Sequence, residues 1–164
     1  MQVKSRHHLR SDAVSEIREA LADRLGVDLA GDSFELVELT DTPFDLVLVD
    51  GDPDVLYYEG DDGGREPFVT VSGANAHPPE RGVVTVDAGA VSFVSDGADV
   101  MRPGIVEADD GIREGDLVAI AEETHGKVLG VGRALVDGDE MVGDAGKVVK
   151  SLHHVGDDLF EFAV

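Results

Sequence analysis

The sequence predicts an α+β protein of two small domains, a helix with a small sheet followed by a closed β pseudo-barrel. One apolar stripe at helical spacing lies near the N-terminus, and a series of short β-branched and aromatic runs follows it. The Pro-rich passage at Pro78 and Pro79 interrupts this series and indicates a linker. The 164 residues therefore divide into domains 1–78 and 79–164.

One amphipathic helix opens the first domain. Ser11 or Asp12 can cap it, because their side-chain oxygens accept hydrogen bonds from free amides of the first turn. Gly26 can end it in a left-handed conformation. The apolar stripe consists of Val14, Ile17, Leu21 and Leu25. Four strand candidates follow it: Phe34 to Leu39, Phe44 to Val49, Val55 to Glu59 and Phe68 to Val71. The next stretch, Ser72 to Gly82, is predicted to be irregular.

The second domain is predicted to be a barrel of short strands with one short helix. Short strands at this density are typical of a small closed barrel. Gly130 and Gly132 within one strand indicate a strong bend or a close backbone approach. The strand candidates are Val83 to Val86, Ile105 to Glu107, Leu117 to Ala121, Val128 to Val136, Val148 to Leu152 and Leu159 to Phe162.

Residues 86–105 predict a strand, a short helix and a tight turn in succession. Asp87 is placed to cap the helix, and Phe93 lies at helical spacing from Ala90, so Phe93 is expected to face the barrel interior. Gly89 and Ala90 place almost no side chain at the N-terminal end of this helix. Free amides and the positive end of the helix dipole there suit a phosphate or a sugar oxygen.

The order of these motifs resembles the signature of the PUA domain, a small RNA-binding pseudo-barrel. The resemblance covers about half of the chain and implies that this domain binds RNA. The matching segments are Val86-Asp87-Ala88-Gly89-Ala90, Phe93-Val94, Gly97-Ala98-Asp99-Val100-Met101, Pro103-Gly104-Ile105, Gly115-Asp116-Leu117-Val118-Ala119-Ile120, Leu129-Gly130-Val131-Gly132-Arg133-Ala134, Gly146-Lys147-Val148-Val149 and a closing strand Leu159 to Val164.

The candidate RNA-binding residues combine this motif with the few cations of the second domain. A guanidinium or ammonium group can hold a phosphate, and the chain contains only 13 Lys and Arg. A salt bridge to a neighbouring acid is the alternative role for each cation. The predicted site comprises Gly89, Ala90, Gly97, Ala98, Met101, Arg102, Pro103, Gly104, Arg133, Lys147 and Lys150.

The whole layout is similar to a family of translation factors. A basic start, a capped helix, a β-rich unit ending in Val55-Leu56-Tyr57-Tyr58 and a Pro-rich passage precede the PUA-like half. This order resembles the archaeal relatives of the malignant T-cell amplified sequence family. The resemblance implies a non-catalytic protein that binds tRNA or small-subunit ribosomal RNA in initiation, re-initiation or recycling. It also implies the small ribosomal subunit or a translation factor as partner.

Two other interpretations remain open. Archaeosine tRNA-guanine transglycosylases carry a similar C-terminal pair of domains, so the chain could be the stand-alone tRNA-binding part of such an enzyme. A structural or small-molecule-binding pseudo-barrel is the third interpretation.

The charge is extreme and evenly spread. The formal net charge is −22, with 35 Asp and Glu against 13 Lys and Arg, and the two halves of the chain carry equal shares. An acidic tail would concentrate the charge in one half. A uniform acidic surface indicates adaptation to high salt, and a halophilic archaeon as source. An ordinary acidic protein that binds cations or basic partners is the alternative.

Several kinds of chemistry are not expected. The chain has no cysteine, so thiolate metal sites and disulfides are excluded. The six histidines form no helical ligand pair, so neither a metal nor a cofactor is predicted. No apolar run is long enough to cross a membrane, and no signal peptide is visible, so a cytoplasmic protein is expected. Neither a membrane nor DNA is expected as a partner.

The first ten residues depart from the acidity of the chain. Lys4, Arg6 and Arg10 occur here with His7 and His8 and without an acid. This basic arm either contacts RNA or an acidic partner, or is simply a strand or a lead-in to the helix.

Overall fold

The computed structural model describes residues 1–162, which form two compact units, 1–78 and 79–162. The first unit contains one long helix, one short helix and five strands. They are β1 (Val3–His8), α1 (Ser11–Leu25), β2 (Phe34–Leu39), β3 (Phe44–Val49), β4 (Asp52–Glu59), β5 (Arg65–Val69) and α2 (Val71–Ala76). The strands form one antiparallel sheet in the order β1-β2-β3-β4-β5.

Helix α1 covers this sheet with its predicted apolar stripe. Ile17, Leu21 and Leu25 are fully buried, and the helix packs against β5. Gly26 ends the helix with a φ of 67°, as predicted. The start differs from the prediction, because Arg10 holds the N-cap position without a side-chain hydrogen bond and Ser11 is already helical.

The end of the first unit also differs from the prediction. The strand ends at Val69, two residues before the predicted end, because Oγ1 of Thr70 accepts a hydrogen bond from the amide of Gly73 at 2.9 Å and caps α2. The stretch predicted to be irregular therefore begins with a helix turn. A Cβ atom at position 73 would stand 1.9 Å from the carbonyl oxygen of Asp54, so only glycine allows α2 to lie this close to β4.

The second unit is a barrel-like sheet with short helices at its ends. Its elements are β6 (Val83–Val86), α3 (Val91–Ser95), β7 (Val100–Met101), β8 (Ile105–Ala108), β9 (Leu117–Glu122), β10 (Val128–Ala134), β11 (Lys147–His154) and α4 (Asp158–Glu161). The strand order is β7-β11-β10-β9-β6-β8, antiparallel except for the parallel pair β6 and β9. Valine and isoleucine side chains such as Val84, Val118 and Ile120 fill the interior.

The predicted close approach at Gly132 is confirmed. A Cβ atom there would stand 2.5 Å from Cγ1 of Val149 and 2.7 Å from the carbonyl oxygen of Lys150. The register between β10 and β11 also shifts between Val131 and Gly132. A side chain at this position would therefore push β11 away from β10.

The predicted last strand, Leu159 to Phe162, is wrong. Residues 158–161 form α4, because the carboxylate of Asp157 accepts a hydrogen bond from the amide of Phe160 at 2.8 Å and caps a helix there. The last two residues of the closing strand in the resemblance, 163 and 164, lie outside the described residues. None of the helices in residues 1–162 has the length and apolarity needed to cross a bilayer.

Candidate RNA-binding site

A pocket of about 470 Å³ opens between α3 and β7, and we call it the α3 pocket. One wall is the loop and helix from Asp87 to Val94, and the other is the stretch from Ala98 through β7 to the turn at Gly104. The lining residues are Asp87, Gly89, Ala90, Phe93, Val94, Ala98, Asp99, Val100, Met101, Pro103 and Gly104.

Small residues allow the two walls to meet. The amide of Asp87 donates to the carbonyl oxygen of Gly104 at 2.9 Å. A Cβ atom at position 104 would stand only 3.0 Å from Cβ of Ala90. A larger side chain at either position would separate the turn from the helix and change the shape of the α3 pocket.

The start of α3 differs from the anion site that the sequence suggests. The helix has five residues, with Ala90 rather than Asp87 at its N-cap position. A helix this short has a small dipole, because few peptide units are aligned. The amide of Ala90 already donates to the carboxylate of Asp87 at 3.0 Å. The negative charge of Asp87 further disfavours a phosphate at this point.

Phe93 does not face the barrel interior, so this expectation is wrong. Its side chain is 65% exposed, whereas the next residue, Val94, is 3% exposed and belongs to the core. A helix of five residues turns only one narrow face inward, and Val94 occupies it. Phe93 therefore lies on the wall of the α3 pocket, which Met101, 48% exposed, also lines.

Asp99 fastens the second wall to the barrel. One carboxylate oxygen accepts from the amide of Ser151 at 2.8 Å, and the other lies 3.2 Å from Nζ of Lys147. Gly97 precedes this wall with a φ of 91°, a conformation that favours glycine. The wall is therefore tied to β11 by contacts between residues about 50 positions apart in sequence.

Arg102 braces a loop in this structure. Its Nε donates to the carbonyl oxygen of Glu140 at 2.9 Å, and one terminal nitrogen donates to the carbonyl oxygen of Ala145 at 3.0 Å. Gly143 and Gly146 leave the space that this side chain needs, since a Cβ atom at either position would approach it to 3.0 or 2.8 Å. Two of the five N–H donors of this guanidinium are thus used inside the protein.

The other predicted cations lie outside the pocket lining. Arg133 and Lys150 are paired in register on β10 and β11. Arg133 donates to the carbonyl oxygen of Gly115, and Lys150 is exposed. Lys147 also lies outside the lining but contacts it through Asp99. The α3 pocket brings together six of the predicted residues, namely Gly89, Ala90, Ala98, Met101, Pro103 and Gly104.

The pocket is apolar with an acidic edge. The residues that line it in the described chain include the carboxylates of Asp87 and Asp99 and no Lys or Arg. A phosphate would therefore find no cation among them, whereas a neutral aromatic group with N–H donors would find apolar walls and an acceptor. The sequence did not identify Phe93, Asp87 or Asp99 as lining residues. Phe93 was expected to face the interior and Asp87 to cap the helix, whereas Asp99 had no assigned role.

A buried histidine and aspartate hold the end of β11. His153 is 0% exposed, and its Nδ1 lies 2.9 Å from a carboxylate oxygen of Asp157. The same carboxylate accepts from the amides of His154 and Phe160 at 2.9 and 2.8 Å. Burial raises the pKa of Asp157, but these hydrogen bonds outweigh burial and hold the pKa below its ordinary value.

One acidic cluster also lies in this unit. Carboxylate oxygens of Asp137, Asp139 and Glu140 lie within 4.8 Å of one another. Asp139 and Glu140 are exposed, and Asp137 accepts from the amide of Glu114 at 2.8 Å, so the cluster is explained by solvation and a loop contact.

Comparison with known protein families assigns the second unit to a class. The family model of the PUA domain matches residues 82–156, which include the whole lining of the α3 pocket. The chain is thus a PUA-domain protein, as the motifs predict, and this membership supports RNA binding.

Relatives extend the match across both units. An uncharacterised protein of Methanocaldococcus jannaschii is 35% identical over 166 residues, 99% of each chain. Translation machinery-associated protein 20 of Saccharomyces cerevisiae is 30% identical over 137 residues, 79% of this chain and 72% of the relative. The crystal structure of a hypothetical protein from Pyrococcus horikoshii matches with a TM-score of 0.82 at 32% identity, covering 96% of this chain and 98% of that one. The chain belongs to the PUA-domain family that these proteins represent.

Proposed function

We propose that this protein is a non-catalytic RNA-binding protein of translation and that the α3 pocket receives an unpaired nucleobase. The observation that carries the proposal is the exposed Phe93 ring on the wall of an apolar pocket whose other lining residues are mostly small or aliphatic. Proteins commonly recognise single-stranded RNA by stacking its bases on exposed aromatic side chains.

The pocket chemistry favours a base over a phosphate. Stacking on an aromatic ring contributes ~1–3 kcal/mol per base, and the thioether of Met101 adds a polarisable apolar contact. The carboxylate of Asp87 has acceptor capacity beyond its hydrogen bond with Ala90. Adenine, cytosine and guanine carry exocyclic amino groups that could donate to it, whereas uracil does not.

The RNA must present this base outside a duplex. A base inside a double helix is already stacked on both sides, so its faces are inaccessible to Phe93. Ends, loops and bulges of tRNA or small-subunit ribosomal RNA meet this requirement. The printed name of the yeast relative, Translation machinery-associated protein 20, supports a place in translation, and we assign the protein to initiation, re-initiation or recycling.

Crosslinking followed by sequencing of the bound RNA tests this proposal. Ultraviolet crosslinking in molar potassium chloride should recover tRNA or small-subunit ribosomal RNA, with the crosslinked peptide containing Phe93 or Met101. Recovery of tRNA alone together with a transglycosylase would favour the stand-alone part of an archaeosine transglycosylase instead. Failure to recover any RNA would contradict the proposed function.

A pair of phenylalanine variants locates the site. Phe93→Ala should weaken binding of the recovered RNA by ~1–3 kcal/mol, because it removes the stacking surface. Phe160→Ala is the matched control, since Phe160 is also exposed, at 39%, and does not line the α3 pocket. Equal affinities of the two variants would remove the α3 pocket as the base-binding site.

A further inference from the structure

β1 is an edge strand with a concentration of positive charge. In the described residues it pairs with β2 alone, so its other side is open. Lys4, Arg6, His7 and His8 are exposed on it, and Arg10 follows directly. No acid occurs in the first ten residues of a chain whose net charge is −22.

The outer side of β1 presents unpaired backbone groups. The amide of Leu9, just after β1, donates to the carbonyl oxygen of Phe34 in β2 at 2.9 Å and so faces β2. Residues of an antiparallel pair alternate between facing the partner strand and facing away from it. His7, opposite Leu36, therefore faces β2, whereas the amide and carbonyl groups of Arg6 and His8 point to the open edge.

Neighbouring acids compensate part of this charge, and Nε of Arg10 lies 3.8 Å from a carboxylate oxygen of Asp12. Glu35 on β2 pairs with Arg6 at 2.9 Å, and Glu38 accepts from the hydroxyl of Ser5 at 2.7 Å. These are the acids of β2 opposite the strand. Lys4, His7 and His8 provide further hydrogen-bond donors besides Arg6 and Ser5. Lys4 lies where the register between β1 and β2 shifts.

We propose that β1 docks an extended acidic segment of a partner protein, which adds to the sheet as a sixth strand. Such a segment would satisfy the outward backbone groups of Arg6 and His8, and its acidic side chains would lie opposite theirs. An RNA strand would contact the cations, but it could not form a ladder of backbone hydrogen bonds with the outward amides and carbonyls of β1. The proposal concerns the first unit and is independent of the α3 pocket.

The charge distribution also argues for a different protein rather than a second copy. Two β1 edges in contact would place like charges opposite each other, which is unfavourable. At low salt the rest of this acidic surface would repel an acidic segment, which favours β1 as the place where the segment binds. A polar recess of about 560 Å³ continues the edge beyond His8, and its polar lining includes Ser11, Ser15 and Arg18 together with one acid, Asp32.

Binding of a designed peptide to the full chain tests the proposal. The probe is a fluorescein-labelled peptide of ~10 residues that alternates Glu and Val, which is at the upper end of the usual strand length and can cover the whole of β1. A peptide that alternates Lys and Val is the sequence control. We expect binding of the Glu peptide in fluorescence anisotropy, with protection of the Arg6 and His8 amides against hydrogen exchange, and no binding of the Lys peptide.

Two variants separate the charge from the backbone contribution. The double variant Lys4→Glu, His8→Glu should weaken peptide binding at least about tenfold through like-charge contacts. His8→Pro removes the imidazole and one outward amide without disturbing the ladder with β2, since that amide does not face β2, and should bind severalfold more weakly than His8→Ala, which removes only the imidazole. Lys127→Glu, at an exposed lysine of the second unit, is the matched control and should bind normally.

Three results would overturn the proposal. The first is no binding of the Glu peptide at millimolar concentration. The second is peptide binding that His8→Pro leaves unchanged, since the segment would then not pair as a strand. The third is binding of a single-stranded RNA of similar length that the double variant Lys4→Glu, His8→Glu abolishes and His8→Pro retains. That result would mean that β1 contacts RNA.

Discussion

Gly97 lies so close to His154 that a Cβ atom at position 97 would stand 2.7 Å from Nε2 of the histidine ring. Gly97 also has a φ of 91°, so two independent constraints require glycine here. Only the second constraint is local in sequence, because Gly97 lies just after the end of α3. The contact joins the stretch before the α3 pocket wall to the end of β11.

Gly97→Ala should therefore destabilise the fold by ~1–3 kcal/mol, through backbone strain and displacement of His154. Gly89→Ala is the matched control, because Gly89 is exposed, does not have a positive φ and would bring its Cβ only to 3.4 Å from Asp87. Urea unfolding of both variants measures the difference. Equal midpoints would contradict the steric role of Gly97.

Phe93→Ala should change the free energy of unfolding by less than ~1 kcal/mol, because the ring is 65% exposed. Val94→Ala, one residue further on, should cost ~1–3 kcal/mol, since Val94 is 3% exposed in the core. Thermal or urea melts of the two variants provide the test. A larger loss of unfolding free energy for Phe93→Ala than for Val94→Ala would indicate that Phe93 is buried in the interior.

Arg102→Lys should loosen the loop of residues 140–146, because a lysine cannot donate to two separate carbonyl oxygens as the guanidinium does. Hydrogen exchange in this loop should accelerate, with a loss of stability of ~1–2 kcal/mol. RNA affinity should fall less than in Phe93→Ala. A large loss of RNA affinity with unchanged exchange would instead make Arg102 a direct phosphate contact.

Asp157 should make stability depend on acid pH. Its folded-state pKa is lowered, so its ionised form stabilises the fold above its unfolded pKa of about 3.9, and this contribution disappears as the pH falls through the folded pKa. The difference in unfolding free energy between wild type and Asp157→Asn should be ~1–3 kcal/mol at pH 6 and should shrink below pH ~4. A difference that stays constant down to pH ~2 would mean that the pKa is not lowered.

Salt should stabilise the whole fold. With 35 acids and 13 bases, carboxylates repel one another across the surface when the Debye length is long. This length falls from ~30 Å at 0.01 M to ~3 Å at 1 M salt. Melting temperatures should rise from dilute buffer to molar potassium chloride, and equal melting temperatures would remove the argument for a halophilic surface.

Short-range patterns were sufficient for most elements. The bounds of β2 and β3 match the predicted runs, and Ile17, Leu21 and Leu25 of the α1 stripe are buried as its period requires. The ordered motifs of the second half predicted the PUA class, which the family model confirms. These features depend on side chains a few residues apart, which a single sequence displays directly.

The candidate site was predictable only in part. The motif turn and the Gly89 and Ala90 corner do line one pocket, as their small side chains suggest. The direction of Phe93 was not predictable, because a helix of five residues is too short for its period to identify the buried face. The bracing role of Arg102 was not visible either, since its acceptors lie about 40 residues away in sequence.

The sequence by itself determined the class of this protein, its acidic charge, its main helix and most of its strands, because composition and local period carry that information. Only the tertiary structure decided which groups meet. It buried Val94 and exposed Phe93, turned the last predicted strand into a helix capped by Asp157, and left one edge of β1 open. Each of these outcomes depends on packing, capping or pairing between segments that a local pattern does not place in contact.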